Sequence, residues 1–349
     1  MQISTGVHYT QGYRAMAEEV VALEQAGVGT LWFAESYSFD SVSAMGYYAA
    51  LTERMTLASG ILNTYSRTPT TLAMTAAGLD DLSQGRFMLG LGASGPQVIE
   101  GFHGVAYEAP VKRLRETVDV CRSVWRREEK LLYEGQTVQI PLPSDRGTGL
   151  GKPLKLINHP LRHDIPIALA TLGQRSVAMT AEIADAWLPA FFMPEHAERV
   201  WGQALRAGTA RRAPERPPLA IFAGGAVAIG ANCEPLRELA RPRSALYIGG
   251  MGARERNFYN QVFAQYGFTE AAEKIQRLYL NGRKAEAEAA VPTEFLASTS
   301  LIGSADFVRE RIGHYRRAGV THLHVSFIGK TPAERIRQCA TLRELLQED

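Results

Sequence analysis

The chain has 349 residues, of which 38 are basic and 36 acidic, so its formal net charge is +2. Hydrophobic residues make up 46% of it, a globular composition that argues against a disordered, collagen-like or coiled-coil protein. The near-neutral balance gives no support for nucleic acid or an anionic membrane surface as the main partner.

Short apolar runs alternate with helical patterns along the chain. The predicted strands are residues 3–8, 30–34, 55–60, 87–92, 165–170, 186–188, 219–229 and 321–327. The predicted helices are residues 14–26, 41–52, 69–83, 112–127, 174–184, 195–211, 306–318 and 332–346. Asp40 is the expected N-cap of the second helix, and Pro69 lies in the first turn of the third, where its missing N–H does no harm.

Two stretches interrupt this alternation. Residues 128–164 are rich in Pro and Gly and predict a small β-excursion, with strand-like pieces at 137–140 and 154–157. Residues 231–303 predict a second, mostly helical insertion. Eight strands that are each followed by helical material indicate an α/β protein with a parallel sheet. We expect a closed (β/α)8 TIM barrel with insertions, formed by residues 1–349 as a single domain; an open doubly wound sheet is the competing architecture.

Cysteine usage and the amino terminus indicate a compartment. Cys121, Cys233 and Cys339 lie far apart and form no CxxC pair, so neither a disulfide framework nor a zinc cluster is expected. The first residues, MQISTGVHYTQG, lack the basic and apolar regions of a signal peptide. No stretch reaches about 18 consecutive apolar residues. The sequence therefore predicts a cytoplasmic protein with no membrane partner.

In a (β/α)8 barrel the active site lies at the carboxyl-terminal ends of the strands. The predicted ends are short of general bases and rich in Gly, Ser, Thr and Asn. They carry His8 and Tyr9, Glu35 and Ser36, residues 60–63, 92–95, 171–175 and 188–191, Gly224 and Gly225, and Ser326. Such a lining favours a bound cofactor that supplies its own chemistry. Glu35 is the only carboxylate among these strand-end residues. We expect it either to form a structural salt bridge or helix cap, or to contact the cofactor or substrate.

Two glycine-containing turns are candidate binding loops. Residues 90–95 (GLGASG) fit GxGxxG, but they follow the fourth strand and the residues after them do not predict an immediate helix. We therefore favour tight-turn glycines, or a backbone that approaches a cofactor, over a dinucleotide site. Residues 171–176 (TLGQRS) lie between a strand and a helix. Free N–H groups there, together with Arg175, predict a phosphate site, with an ordinary turn and a surface arginine as the alternative.

The arginine content of the chain and one pair of histidines bear on anion and metal binding. The basic residues are 31 Arg and 7 Lys, mostly a compositional bias, although an arginine in a cleft binds phosphate or carboxylate bidentately. His322 and His324 point to one face of the last strand. Because the further ligands of a metal-dependent hydrolase are not visible, we expect packed or hydrogen-bonded histidines and no metal site.

Taken together, these segments resemble the bacterial luciferase-like superfamily, and within it the coenzyme F420-dependent oxidoreductases related to methylenetetrahydromethanopterin reductase. The resemblance covers nearly the whole chain. It rests on residues 31–40 (LWFAESYSFD), 63–69 (NTYSRTP), 79–104, 169–189 and 303–319. It implies a luciferase-like (β/α)8 barrel with the cofactor's tricyclic ring across the strand ends, and often a homodimer, here through faces at 42–50 and 71–79.

The resemblance also implies residue roles. A bulge with a non-prolyl cis peptide behind the ring would fall at residues 60–61, and the ring edge would lie near residues 63–64. Residues 93–95 would line the ring or the ribityl chain, and residues 172–175 would hold the phosphate. The implied cofactor-binding residues are Gly60, Ile61, Asn63, Thr64, Ala93, Ser94, Gly95, Leu172, Gly173, Gln174 and Arg175.

The chain departs from the family pattern at three places. Many relatives have Glu-His where this chain has Glu35-Ser36, the RHP-like element is Arg67-Thr68-Pro69, and the common LGPK is LGQR at 172–175, which keeps the positive charge. A histidine often credited with proton handling is therefore absent. Glu35, His8 and Tyr9 are the remaining candidates for a catalytic proton donor.

The resemblance implies an F420-dependent oxidoreductase that transfers a hydride between the deazaflavin C5 and a small organic substrate, an enone, imine or alcohol. An FMN-dependent two-component monooxygenase is the first alternative, because the same barrel serves both. A flavin-binding protein without turnover is an alternative of another class, and a metal-dependent barrel hydrolase is disfavoured. Neither the substrate nor the direction of transfer follows from the sequence.

Overall fold

A computed structural model describes residues 1–7, 12–252 and 257–347. The strands are β1 (Gln2–Val7), β2 (Val28–Phe33), β3 (Thr56–Ser59), β4 (Leu62–Asn63), β5 (Phe87–Gly92), β6 (Tyr133–Glu134), β7 (Gln139–Ile140), β8 (Ile167–Leu169), β9 (Ala186–Trp187), β10 (Ala220–Ala223), β11 (Ala226–Ile229), β12 (Leu301–Gly303) and β13 (His322–Phe327). The helices are α1 (Ala17–Ala26), α2 (Ser41–Leu51), α3 (Pro69–Leu82), α4 (Pro96–Gly101), α5 (Pro110–Arg126), α6 (Gln174–Ile183), α7 (Gln203–Thr209), α8 (Arg241–Ala245), α9 (Phe258–Phe263), α10 (Thr269–Leu280), α11 (Lys284–Ala289), α12 (Thr293–Ser298), α13 (Ala305–Arg317) and α14 (Pro332–Gln347).

Eight of the strands close into a barrel. Their order is β1, β2, β3, β5, β8, β9, β10 and β13, and β13 pairs back onto β1 in parallel, with Gln2 opposite His322. Each of the eight lies within or overlaps a strand predicted from the sequence. The closed, parallel (β/α)8 barrel confirms the predicted fold class and excludes the open doubly wound sheet.

Contacts within the chain define two compact units. Unit 1 comprises Met1–Gly6, Glu18–Thr30 and Thr171–Asp349, and its interior holds Trp187, Trp201 and Tyr315 among its largest buried side chains. Unit 2 comprises Val7–Ala17 and Leu31–Ala170. The interior of unit 2 includes Trp125, whose indole N–H donates to the carbonyl of Ala73 on α3 at 2.9 Å. The single-domain organisation stays a prediction.

The helix starts in unit 2 follow local capping chemistry. Asp40 caps α2 as predicted, because its carboxylate accepts from the backbone N–H groups of Val42 at 3.3 Å and Ser43 at 2.8 Å. Thr68 caps α3 in the same way, and Pro69 occupies the first helical position. These two helices therefore begin within one residue of their predicted starts.

The long apolar run at 219–229 is two strands where one was predicted. It divides at Gly224 and Gly225, where a Cβ would lie 2.5 Å from the carbonyl oxygen of His324 and 1.9 Å from that of Thr299, respectively. The backbones approach too closely there for any side chain. Past the break, β11 pairs in parallel with β12, with Val227 opposite Leu301. The described part of residues 231–303 is mostly helical, as predicted, and the three-residue strand β12 at its end was not predicted.

Two other expectations are corrected. The β-excursion contains one antiparallel hairpin, β6 with β7, but the strand predicted at 154–157 is absent. The carbonyl of Leu154 accepts a hydrogen bond from the N–H of Leu131 at 2.9 Å, but no strand ladder continues from it. The preceding residue, Pro153, has no N–H to donate to such a ladder. The helix predicted at 195–211 is a 3₁₀ turn, a π-type turn and then α7. None of the described helices is both long enough and apolar enough to span a membrane.

Candidate functional site

Two of the three predicted proton donors, His8 and Tyr9, lie outside the described residues. The third, Glu35, follows the end of β2 in unit 2. Its Oε2 accepts from the backbone N–H of Ser41 at 3.0 Å, the Ser41 hydroxyl at 3.1 Å and Nη2 of Arg67 at 3.0 Å. Arg67 also donates to Oε1 of Glu35 and to Asp40.

This network determines what Glu35 can do. The Glu35 side chain is 10% exposed and that of Arg67 is 20% exposed. The hydrogen bond to Glu35 is the main cause that holds the pKa of Arg67 above its usual value. Because Glu35 accepts from this many donors, it holds the start of α2 in place and its negative charge balances the positive charge of Arg67. Its role as a proton donor stays a prediction.

The predicted non-prolyl cis peptide is present at Gly60–Ile61. The N–H of Gly60 donates to the carbonyl of Phe33 at 2.7 Å. A Cβ on Gly92 would lie 3.0 Å from Cγ1 of Ile61, so the Ile61 side chain occupies the space beside that glycine. Gly60 and Ile61 are half-buried, and they join β3 to β4 as a bulge held against the ends of β2 and β5.

Residues 63–66 form a buried turn with two unsatisfied hydroxyl groups. Oδ1 of Asn63 accepts from the N–H groups of Tyr65 at 3.0 Å and Ser66 at 2.7 Å. Thr64 is fully buried. Within the described part of the chain, neither its Oγ1 nor the buried Oγ of Ser66 has a hydrogen-bond partner. Because buried polar atoms are nearly always paired in native proteins, these two hydroxyls are available to a ligand.

The glycines at 90–95 have different functions. A Cβ on Gly90 would lie 1.7 Å from the carbonyl oxygen of Ser59, so close packing of β5 on β3 requires that glycine. Gly95 instead is the N-cap of α4. The expectation that no helix follows immediately is therefore wrong: Pro96 begins a six-residue helix. Its first turn is closed by the carbonyl of Gly95, which accepts from the N–H of Ile99 at 3.0 Å.

Sequence reasoning missed an aromatic and cationic group in unit 2. Tyr107 stacks on Tyr65 with ring centroids 5.1 Å apart, and the Arg113 guanidinium lies 4.8 Å from the Tyr65 centroid. Tyr107 donates to the carbonyl of Ser94 at 3.1 Å, and Nε of Arg113 donates to the carbonyl of Thr64 at 2.8 Å. Burial raises the pKa of Tyr107 to about 12, so it is a neutral phenol. The group therefore fixes two predicted binding segments, but neither Tyr107 nor Arg113 follows a strand end that would mark it.

The predicted phosphate loop in unit 1 is anchored by two tryptophans. The indole N–H of Trp187 donates to the carbonyl of Thr171, and that of Trp201 donates to the carbonyl of Leu172, both at 2.9 Å. Gly173 then caps α6 without any side-chain hydrogen bond. Arg175 is exposed and has no ionic or hydrogen-bond partner among the described residues. An uncapped helix start beside a free guanidinium is an arrangement that binds anions.

A second missed group comes from the helical insertion in unit 1. Phe191, which follows β9, has a positive φ of 53°. Its carbonyl accepts from the hydroxyl of Tyr266 at 2.8 Å. Its ring lies 5.4 Å from that of Tyr247 and 5.8 Å from that of Tyr259, both edge to face. We call Phe191, Tyr247 and Tyr259 the ring cluster.

The histidines of β13 are packed. His322 stacks on Phe222 with ring centroids 4.0 Å apart, and Nδ1 of His324 lies 3.3 Å from the Ser4 hydroxyl. Burial lowers the pKa of both histidines to about 4. Across the ranges that the structure describes, no group of three His, Cys, Asp or Glu side chains is arranged to hold a metal ion.

Comparison with known proteins gives the family. The model of the luciferase-like monooxygenase family matches residues 1–322. A Mycobacterium tuberculosis protein, provisionally described as a coenzyme F420-dependent oxidoreductase, is 39% identical over 93% of each chain. The 5,10-methylenetetrahydromethanopterin reductase of Archaeoglobus fulgidus is 26% identical over 89% of each chain.

Solved structures share the fold across the whole chain. The F420-dependent tetrahydromethanopterin reductase of Methanopyrus kandleri superposes with a TM-score of 0.76 at 21% identity, over 98% of this chain and 96% of that one. A Pseudomonas putida Baeyer–Villiger monooxygenase in complex with FMN gives a TM-score of 0.65 at 18% identity, over 98% and 96%. The chain therefore belongs to the luciferase-like monooxygenase family, is homologous to methylenetetrahydromethanopterin reductase, and is an oxidoreductase.

Proposed function

We propose that this protein is an F420-dependent oxidoreductase that transfers a hydride between the deazaflavin C5 and a small organic substrate, an enone, imine or alcohol. The observation that carries the proposal is the relative described as F420-dependent, which is 39% identical over 93% of each chain. When bound, F420 supplies a two-electron hydride carrier, and the protein supplies binding, orientation and exclusion of water.

The residues present fit such a cofactor. In unit 2, the unsatisfied hydroxyls of Thr64 and Ser66 offer buried hydrogen bonds to a ring edge. Residues 60–61 and 93–95, which follow β3 and β5, are half-buried or exposed, and all of them except Ile61 are small residues that let a cofactor approach the backbone. In unit 1, Arg175 and the N–H groups of the uncapped α6 start are suited to a phosphate. We propose these residues, with those predicted at 172–174, as the cofactor-binding set.

The proton that accompanies hydride transfer needs a donor held near the acceptor. We retain Glu35, His8 and Tyr9 as the candidates. Glu35→Gln separates two roles, because it removes the titrating group and weakens the pair with Arg67 while keeping the side-chain shape. If Glu35 donates the proton, kcat falls and the alkaline limb of the kcat pH profile, which reports the essential acid, disappears. If it only positions α2, the profile keeps its shape and thermal stability falls, as it should in the matched variant Arg67→Gln.

Titration of the purified protein with F420 and with FMN, followed by absorbance, tests the proposal directly. We expect F420 to bind at micromolar concentration. Binding of FMN but not F420 would overturn the proposal and support the FMN-dependent two-component monooxygenase, an alternative favoured by the fold shared with an FMN-bound monooxygenase. Cofactor binding without oxidation or reduction by a panel of enones, imines and alcohols would support a flavin-binding protein without turnover.

We further propose that the protein is a cytoplasmic homodimer with a small-molecule substrate. Exposed apolar side chains support the predicted interface: Tyr47 on α2 is 40% exposed and Met74 on α3 is 58% exposed. Both lie within the faces at 42–50 and 71–79. The three cysteines are free thiols, two of them buried, which agrees with a reducing compartment.

A further inference from the structure

Helix α8 in the helical insertion carries two arginines with different surroundings. Arg241 is paired: its Nη2 donates to Glu238 at 3.0 Å, and its Nη1 donates to the carbonyl of Glu288 at 3.2 Å. Arg243 is exposed and has no carboxylate or carbonyl partner among the described residues. Its guanidinium carbon instead lies 5.5 Å from the ring centroid of Tyr247. A guanidinium that stacks on an aromatic ring keeps its outward N–H groups free to bind an anion.

The ring cluster provides an apolar surface next to this guanidinium. Tyr247 and Tyr259 meet edge to face with centroids 4.8 Å apart, and both contact Phe191. All three residues are half-buried, so each keeps some solvent-accessible surface. The hydroxyl of Tyr266 donates to the carbonyl oxygen of Phe191 at 2.8 Å, and this hydrogen bond fixes the backbone at Phe191. Apolar walls with a single placed charge are typical of sites for small organic ligands.

Two titratable groups that the structure describes near Arg243 do not offset its charge. Its positive charge is close enough to contribute, after burial, to lowering the pKa of His324 to about 4. The imidazole is therefore neutral at pH 7. Burial raises the pKa of Tyr259 to about 12, so that phenol is neutral as well. Among the described residues, Tyr259 and His324 are therefore neutral groups near the charge of Arg243. A carboxylate is the ligand group that matches the planar, bidentate donors of a guanidinium.

We propose that Arg243 binds the carboxylate of an organic-acid substrate whose apolar body packs against Phe191, Tyr247 and Tyr259. This inference rests on the proposed function in naming that acid as the substrate of the hydride transfer. The proposed substrate is then an enone, imine or alcohol that also carries a carboxylate, separate from the group that reacts with the cofactor. Arg243 would then act as a specificity-determining residue.

Isothermal titration calorimetry with cinnamate and its neutral isostere cinnamamide tests the subsite without turnover. We expect cinnamate to bind the wild-type protein at least tenfold more tightly than cinnamamide. Arg243→Gln should weaken cinnamate binding at least tenfold and leave cinnamamide unchanged. Arg277→Gln is the matched control, because it removes an exposed arginine from α10 whose guanidinium lies over none of the described ring-cluster rings. Tyr247→Leu should weaken both probes, since it removes ring surface and keeps the charge.

Three results would overturn the inference. They are equal affinity of the two probes for the wild type, cinnamate binding that is unaffected by Arg243→Gln, and failure of both probes to bind the wild type at about 10 mM. A parallel F420 titration of each variant identifies the other source of carboxylates, the cofactor itself. If Arg243→Gln weakens F420 and not cinnamate, the guanidinium serves the cofactor. If cinnamate binding depends on Arg243 while neither F420 nor FMN binds, the subsite stands and the proposed function fails.

Discussion

Arg175 offers a direct test of the proposed phosphate site, because the residue destabilises its own helix and so has no evident structural role there. It is the second residue of α6, which begins at Gln174. The amino-terminal end of a helix carries the positive end of the dipole, so a cation there destabilises the helix by about 0.3–1 kcal/mol. No described carboxylate compensates the charge. Arg175→Gln should therefore raise the free energy of unfolding by a few tenths of a kcal/mol.

The same substitution should weaken a phosphate-bearing cofactor. A hydrogen bond to a charged group contributes about 1.5–3 kcal/mol. Because Arg175 is exposed and its charge is screened by solvent, we expect the low end of that range, a loss of about tenfold in affinity. Binding should survive, because the backbone N–H groups of the first turn of α6 are unchanged.

A thermodynamic cycle isolates the phosphate contact. Kd is measured for the wild type and Arg175→Gln with F420 and with 7,8-didemethyl-8-hydroxy-5-deazariboflavin, which has the same ring and ribityl chain and lacks the phosphate and the tail beyond it. FMN and riboflavin form the equivalent pair, which differs by the phosphate alone. We expect the variant to lose affinity only for the phosphate-bearing member. Arg277→Gln controls for the loss of one positive charge. Equal losses for both members, or no loss for either, would refute the assignment of Arg175 to the phosphate.

Further predictions concern stability, pH and assembly. Gly90→Ala should lower the free energy of unfolding, measured by denaturant titration, by about 3 kcal/mol or more, because its Cβ would lie 1.7 Å from the carbonyl oxygen of Ser59. Gly95→Ala is the control: its nearest contact would be at 3.6 Å, so the free energy of unfolding should change by less than about 1 kcal/mol. Burial lowers the pKa of His324 from 6.5 to about 4, so between these two pH values only the unfolded chain binds a proton at His324. The free energy of unfolding should therefore fall by up to about 1.4 kcal/mol per pH unit as the pH drops from 6.5 to about 4. His324→Gln should reduce this dependence of stability on pH. Met74→Glu should convert a dimer to a monomer in light scattering, and an unchanged mass would exclude this interface.

The barrel was predictable because its strands are apolar runs set off by glycine, proline and helical periodicity. Strand β12 was not, because three residues show no periodicity and its partner β11 exists only where Gly224 and Gly225 divide a longer run. Helix α4 was missed for a related reason: its six residues are too few to show a helical period, and only Pro96 at the first position marks its start.

The candidate site divides along the same line. Residues 60–63, 93–95 and 171–175 could be predicted as candidate site residues because each group follows a strand, and the strand ends of a barrel mark its active face. Thr64 was added by the family resemblance. Tyr107, Arg113 and Arg243 were missed because they lie on a loop or on helices. Their contacts with Ser94, Thr64 and Tyr247 arise from tertiary packing and have no counterpart in local sequence.

The indole hydrogen bonds of Trp187 and Trp201 have a consequence for ligand exchange. They hold the carbonyls of Thr171 and Leu172 through groups of the protein itself, and the two indoles pack edge to face with centroids 5.2 Å apart. A loop fixed in this way needs no reorganisation on binding, so association should be limited by diffusion and orientation and not by loop closure. The buried indoles also act as built-in fluorophores, whose emission would report any departure of the loop from its anchored geometry.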